Sequence, residues 1–335
     1  MSIVVMLCLA AGAKTHSRPI WEFTILASVE GVFVDRFGGL DSCALRIRDQ
    51  LDSVNSMFND SGVFDGNLMF VLDSIQEFGG SGFTQAAEPH PEQDYHVVYD
   101  FDTQSLSNWL YPPDNAVLFR TFSTDEVPLP FISAGNRLLA HELAHSRGAV
   151  DLYGLEVDGR LNEVNSAGYQ FETCVMADGV SRHWSDHTIR VINSNAERVL
   201  EPSGFRLLAF PREMRLLVVD LHDEPVSGAS VQVFGHTWYD MALRDDPLDL
   251  GVTDSAGVYV MMPDLFINPV DSDLVCANAL CLTHSTLLLQ AEYGGRTGYC
   301  WLPFTEPQVH WFDGSPDPFV VTIELSITQD SSDVD

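Results

Sequence analysis

The spacing of apolar positions predicts three helices in the first 200 residues. In residues 41–58 an apolar side chain recurs every three to four positions, which predicts an amphipathic helix that begins at a capping residue, Asp41 or Ser42. Residues 131–148 and 185–200 show the same period. Each helix therefore has one apolar side that can face a core.

Runs rich in β-branched and apolar residues lie between these helices. They predict four strands, at 23–34, 68–75, 96–101 and 116–122. Strands interspersed with helices predict an α+β domain in which helices back a sheet. We place this domain at residues 14–202.

The pattern changes near residue 203. Beyond Phe205 no helical period continues, and strand-like runs are separated by turns rich in Asp, Pro and Gly. These runs are 214–235 and 251–262, each a strand, turn and strand, followed by 282–293 and 317–325. They predict an all-β antiparallel sandwich over residues 203–328, with a frayed tail at 329–335.

The N-terminus predicts export, and the cysteines are compatible with it. Residues 1–13 form a short apolar run that ends in Ala-Gly-Ala, the pattern of a signal peptide cut after Ala13. No Lys or Arg precedes this run, so a buried strand or a misassigned start is the alternative. No CxxC pair is present, which argues against a cysteine zinc site. A disulfide among Cys276, Cys281 and Cys300 would suit an exported protein.

Charge narrows the classes of partner. The chain has 48 acidic and 17 basic side chains and a net charge of −31. Such a surface repels nucleic acid and anionic lipid. The sequence contains no run of 18 apolar residues, so no membrane-spanning helix is predicted.

The stretch HELAHSRGAVD, residues 141–151, has the composition of a metal site. Positions i and i+4 share one face of a helix, so His141 and His145 can bind one ion, and Glu142 can reach a water on that ion. Ser133 can cap the helix, and Gly148 can end it because glycine adopts the left-handed conformation without steric cost. The reversal brings Asp151 back toward the histidines.

These residues resemble the metzincin zinc metallopeptidases, in the variant HExxHxxGxxD. The resemblance covers about residues 22–200, and it implies a twisted mixed sheet with a backing helix and an active-site helix. It also makes Met176 the methionine of the family's supporting turn. It implies a catalytic Zn²⁺ ion bound by His141, His145 and Asp151, with Glu142 as the general base in peptide-bond hydrolysis. It also implies that an edge strand, matched here to 116–122, pairs with an extended protein or peptide substrate.

Two features of the resemblance stay open at this point. Some metzincins place a tyrosine two residues after the methionine, where this chain has Asp178, so Tyr153 or Tyr169 would have to substitute. The stretch LNEVNSAG faintly resembles an element of thermolysin-like gluzincins, which makes Glu163 a rival third ligand. His183 and His187 are expected to be surface or capping residues.

The C-terminal part resembles the carboxypeptidase-regulatory-like or Ig-like sandwiches that are attached to exported enzymes. Asp223, Asp246 and Asp254 could bind Ca²⁺ there, although acidic loop residues are more often simply hydrated. The sequence thus predicts a secreted zinc metalloendopeptidase. The alternative is an adhesion or interaction protein that keeps its metal site for structure.

Overall fold

The structure is a computed structural model, and it describes twelve segments of the chain. They are 18–79, 92–100, 109–111, 116–120, 123–124, 127–128, 133–178, 181–195, 209–236, 241–267, 283–315 and 318–327. The predicted signal peptide, the predicted boundary at 203, the tail, Cys276 and Cys281 lie outside these segments.

Helices and strands are both numerous in the described segments, which confirms the α+β class. The helices are α1 (Gly31–Phe37), α2 (Leu40–Asn59), α3 (Ser133–His145), α4 (Val175–Asp178), α5 (Asp186–Asn195) and α6 (Thr305–Phe312). The first strands are β1 (Ile20–Glu30), β2 (Asn67–Phe78), β3 (Tyr95–Asp100), β4 (Trp109–Tyr111), β5 (Ala116–Arg120), β6 (Ser123–Thr124) and β7 (Val127–Pro128). The later strands are β8 (Met214–Val219), β9 (Ser230–His236), β10 (Asp249–Val252), β11 (Val258–Met261), β12 (Thr286–Tyr293), β13 (Arg296–Pro303), β14 (Phe319–Glu324) and β15 (Ser326–Ile327).

The N-terminal part is built on a five-stranded sheet with the order β2-β1-β3-β5-β4. Every neighbouring pair is parallel except β4 and β5, which are antiparallel. The strand predicted at 116–122 is β5, but it lies between β3 and β4, so its assignment as the edge strand is wrong. The edge strand on that side of the sheet is β4, which the sequence pattern did not predict because it is only three residues long.

Helix α2 covers this sheet with the face that the sequence predicts. The five apolar positions of the predicted face are buried: Cys43, Ile47, Leu51, Val54 and Phe58. The predicted cap is wrong, because the N-cap residue is Gly39 and no side chain caps the helix. Trp184 stacks on Phe58 with ring centroids 4.6 Å apart and donates to the Met57 carbonyl over 3.1 Å, which ties α2 to the segment before α5.

Two further sheets form the C-terminal part. One has five strands in the order β10-β9-β12-β13-β15, and the other has three in the order β11-β8-β14. Consecutive strands β8 and β9 belong to different sheets, as do β10 and β11, so each predicted strand, turn and strand crosses between sheets. The antiparallel expectation is wrong for β8 and β14, which pair in parallel. Helix α6 also contradicts the expectation of an all-β segment.

A continuous apolar core joins the two parts. One cluster of buried side chains includes residues of α3 and α4 together with residues of β8, β9 and β12. Helices α5 and α6 contact each other through a hydrogen bond of 2.8 Å between His187 Nε2 and Gln308 Oε1 and an ion pair between Arg190 and Asp313. The C-terminal sheets therefore pack directly on the part that carries the HExxH motif. Among the described residues, no helix is long and apolar enough to span a bilayer.

Candidate metal centre

Helix α3 places the two motif histidines side by side. Leu139, Ala140, Leu143 and Ala144 are fully buried, so the helix is held in the core on its apolar sides. One helical turn separates His141 from His145, and the Nε2 atoms of the two rings lie 3.1 Å apart. The prediction that the spacing brings them together is confirmed.

The end of α3 turns the chain back toward these rings. Gly148 has a φ of 89°, a left-handed conformation that favours glycine. The Ala149 amide donates to the Ala144 carbonyl over 3.0 Å, and this bond closes the reversal. Asp151 Oδ1 consequently lies 2.9 Å from His141 Nε2 and 3.2 Å from His145 Nε2. Gly148 has the helix-ending role that the sequence predicts.

These three atoms have the dimensions of a metal site. His141, His145 and Asp151 form the one group of three or more candidate ligands within the described residues, and all three are buried. Tetrahedral Zn²⁺ with ligands at roughly 2.0–2.1 Å needs donor atoms about 3.3 Å apart. The observed separations of 2.9, 3.1 and 3.2 Å come within a few tenths of an ångström of that value. The residues present fit such an ion.

The other nitrogen of each ring fixes which ring atom faces the site. His141 Nδ1 lies 2.9 Å from the Val175 carbonyl, and His145 Nδ1 lies 2.9 Å from the Ala149 carbonyl. A carbonyl can only accept, so each Nδ1 carries a proton, and Nε2 is the ring atom left to bind a cation. Three electron-pair donors then converge in a buried space, an arrangement that a cation stabilises.

The charges around the three donor atoms favour a cation between them. Burial alone would raise the pKa of Asp151, but the neighbouring His145 and His141 hold it well below its usual range. Burial is the largest influence on His145 and alone would lower its pKa, but the charge and hydrogen bond of Asp151, the charge of Glu142 and the Ala149 carbonyl together outweigh burial and raise the pKa to about 9. The carboxylate therefore stays ionised and favours a positive charge beside it, either a proton or a metal ion.

Helix α4 supports two of the three donors through its backbone. The Val175 carbonyl accepts from His141, and the Met176 carbonyl accepts from the Leu152 amide over 2.8 Å, next to Asp151. The Met176 side chain is fully buried. The predicted methionine turn thus lies against the site and fixes the orientation of a ring and the position of a ligand segment.

Tyr153 completes the surroundings of Asp151. Its hydroxyl donates to Asp151 Oδ2 over 2.9 Å, which leaves Oδ1 for the histidines. Tyr169, the other tyrosine considered, instead packs against Trp301 with the rings tilted and their centroids 5.7 Å apart. Asp178, in the place of the family's tyrosine, accepts from the amide and the hydroxyl of Ser181 at 2.8 Å each.

Glu142 is buried beside the three donors, with 5% of its surface exposed. Burial raises its pKa, while both histidines oppose that rise. Within the described part of the chain no hydrogen bond holds its carboxylate. A buried carboxylate with raised proton affinity, near candidate metal ligands, is suited to proton transfer.

The rival ligand Glu163 is exposed and lies outside the group of candidate ligands. Its neighbour Asn162 explains why: the buried Asn162 side chain donates to Asn165 Oδ1 and to the Ala167 carbonyl over 2.6 and 2.7 Å. The segment is therefore a tight loop organised by Asn162, and not the helix that a gluzincin-type ligand requires.

Other predicted candidates lie away from the centre. His183 is exposed as expected, but the surface assignment of His187 is wrong because that residue is 2% exposed. In the described segments Asp223, Asp246 and Asp254 form no group of metal-ligand geometry. Cys43, Cys174 and Cys300 are free thiols.

Arg147 is a residue whose place the sequence did not reveal. It is fully buried, donates to the Tyr95 hydroxyl and the Asn195 carbonyl over 2.9 and 3.2 Å, and lies 4.2 Å from the centroid of the Phe23 ring. It thus joins the end of α3 to the sheet and to α5. An arginine beside a glycine at a helix end gives no sequence signal for burial.

Comparisons with known proteins leave the geometry as the main evidence. No family model and no curated protein matches the chain. Solved structures include a chaperone–substrate complex, at TM-score 0.37 and 10% identity over 53% of this chain and 35% of that one. The shaft pilin SpaA of Lactobacillus rhamnosus GG has a TM-score of 0.22 and 12% identity, over 34% of this chain and 47% of that one. Catechol 1,2-dioxygenase of Acinetobacter radioresistens has a TM-score of 0.20 and 16% identity, over 37% of this chain and 56% of that one.

The chain spans 35% to 56% of the length of these three solved chains. Likenesses at such TM-scores carry no argument about fold or activity.

Proposed function

We propose that the protein is a secreted zinc-dependent endopeptidase of metzincin type. The observation that carries the proposal is the buried triangle of His141 Nε2, His145 Nε2 and Asp151 Oδ1 beside the buried carboxylate of Glu142. The triangle offers three protein ligands, and catalytic zinc sites have three protein ligands and an open fourth position. A purely structural site has no use for Glu142.

The fold proposed for this function has two domains. The first is a metzincin-like catalytic domain, supported by the five-stranded sheet, the backing helix α2 and the motif helix α3. The second is a β-sandwich, supported by the five-stranded and three-stranded sheets of the C-terminal part. Strand β4 replaces β5 as the proposed edge for an extended peptide, and α3 lies against both strands.

Proton transfer is the task that the proposal gives to Glu142. When bound, zinc supplies a water of lowered pKa and polarises the carbonyl that is attacked. Glu142 accepts the proton of the attacking water, and its raised pKa lets it retain that proton until the leaving amine takes it. The carbonyls of Val175 and Ala149 keep both histidine rings in the orientation that leaves Nε2 free.

Two alternatives predict different measurements. A group of two histidines and one carboxylate also binds Fe(II) in oxygenases, so metal content must be determined. A structural site needs a fourth protein ligand, and the group contains three within the described residues. The exposed Glu163 argues against the gluzincin arrangement.

The test compares the full chain with Glu142→Gln after loading with Zn²⁺. We expect the wild type to cleave an unfolded protein substrate and Glu142→Gln to lose about 10² to 10⁴-fold in rate at equal zinc content. Glu163→Gln, an exposed glutamate in the same chain, is the control and should cleave like the wild type. A zinc-loaded wild type that cleaves no peptide bond would refute the peptidase proposal.

A further inference from the structure

The segment after Asp151 is held by hydroxyl groups from the C-terminal part. Ser285 Oγ donates to the Gly154 carbonyl over 3.1 Å, and Thr286 Oγ1 donates to the Leu155 carbonyl over 2.8 Å. Both hydroxyl-bearing residues are fully buried. Buried hydrogen bonds of this kind hold a backbone firmly, because breaking one leaves a desolvated carbonyl without a partner.

These hydroxyls are themselves fixed in place. The Ser285 amide donates to the His236 carbonyl over 2.9 Å, and its hydroxyl lies 3.0 Å from His236 Nδ1. Thr286 begins β12, which pairs with β9 on one side and β13 on the other. Thr286 is therefore the first residue of an interior strand, and Ser285 directly precedes it.

The held segment reaches the metal ligand in three residues. The turn Tyr153–Leu155 is a 3₁₀ helix whose Leu155 amide donates to the Leu152 carbonyl over 3.2 Å. From this turn Tyr153 donates to Asp151 Oδ2, while the Leu152 amide is held by Met176. The segment is thus held by α4 at the Leu152 amide, and by Ser285 and Thr286 at the carbonyls of Gly154 and Leu155.

We propose that Ser285 and Thr286 are positioning residues of the metal centre, and that the C-terminal sheets complete that centre instead of being an appended module. This inference rests on the proposed metal site. The two hydroxyls fix the turn Tyr153–Leu155, the turn fixes the Tyr153 hydroxyl, and the hydroxyl orients Asp151 toward the histidines. Outer groups of this kind alter metal affinity because they set how far each ligand must move to bind.

The test measures Zn²⁺ affinity of the full chain by competition with a chelator. Thr286→Val removes the hydroxyl and keeps the shape, and we expect the Kd for Zn²⁺ to rise about tenfold, the lower end of the range for outer groups. Thr286→Ser keeps the hydroxyl donor and should bind Zn²⁺ with the affinity of the wild type. Thr253→Val is the matched control, since Thr253 is buried in the same C-terminal part. Its hydroxyl donates to the Val226 carbonyl over 2.6 Å and not to the segment that follows Asp151.

Hydrogen exchange of the metal-free chain gives an independent measurement. Amides of residues 152–157 should exchange faster in Thr286→Val than in the wild type or Thr253→Val. If the wild type binds Zn²⁺ but Thr286→Val and Thr253→Val have equal affinities and equal exchange rates, the positioning role alone is overturned. Wild type that binds no Zn²⁺ would overturn the proposed function and this role together.

Discussion

At the scale of single residues, the candidate site consists of predictable ligands and unpredictable supports. His141 and His145 follow from helical geometry, and Asp151 follows from the glycine that reverses the chain. Ser285 lies over a hundred positions from Asp151, so no local pattern could link them. The sequence offers Tyr153 as a substitute for the tyrosine that some metzincins carry, and its bond to Asp151 makes it a support for a ligand.

The identity of the third ligand is testable by one pair of substitutions. Asp151→Ala removes the oxygen that lies 2.9 Å from His141 Nε2, so we expect the affinity for Zn²⁺ to fall at least about a hundredfold. Glu163→Ala removes an exposed carboxylate and should leave the affinity unchanged. Calorimetric titration with Zn²⁺ measures both. If Glu163→Ala were the variant that lost zinc, the gluzincin arrangement would replace the one proposed here.

At the scale of elements, periodicity predicted the helices that carry strong amphipathic patterns. Helix α2 matches within one residue at each end of the predicted range, because its apolar face is long and regular. The predicted strand at 23–34 instead ends at Glu30, and α1 follows. Helix α6 was missed because eight residues that include Pro307 show little periodicity. Sheet order was missed because pairing between distant strands leaves no mark in a local pattern.

The end of α3 gives a prediction at this scale. Gly148→Ala forces a side chain into a backbone with φ of 89°, which should cost about 1–2 kcal/mol of unfolding free energy. The change should also weaken Zn²⁺ binding, because Ala149 holds His145 and the reversed chain carries Asp151. Gly38→Ala is the control: Gly38 ends α1 with φ of 81°, and nothing lies near its missing side chain.

Denaturant unfolding and zinc titration of the two glycine variants separate these effects. Both variants should lose similar stability, and only Gly148→Ala should lose affinity. Equal affinities in the two would show that the reversal at Gly148 is needed for folding and not for the geometry of the site.

At the scale of the whole molecule, the two parts form a shared interior. The apolar pattern of the sequence changes near residue 203. Such local patterns predict the elements of each part, but they do not predict which residues of the two parts contact each other. His187 shows the difference: a polar residue on a predicted helix, it is buried against Gln308 and lies edge-on to the Phe304 ring at 5.4 Å. Both partners come from the C-terminal part, so contact with that part determines its burial.

Burial of His187 makes the joint between α5 and α6 sensitive to acid. Desolvation lowers the pKa of His187 from 6.5 to about 4. Between these values the unfolded chain binds a proton that the folded chain does not, so stability falls as pH decreases through this range. The loss attributable to this one residue reaches about 3 kcal/mol near pH 4.

Urea unfolding of the metal-free protein between pH 7 and pH 4.5 measures this loss. His187→Gln keeps a group that can hydrogen-bond to Gln308 and removes the titration, so its stability should decline less steeply with acid than that of the wild type. Carboxylates and the buried His284 contribute equally to both proteins and cancel in the difference. His222→Gln, at an exposed histidine, should follow the wild type. Parallel pH profiles for wild type and His187→Gln would mean that water reaches His187 and that the two parts meet less tightly than the shared core implies.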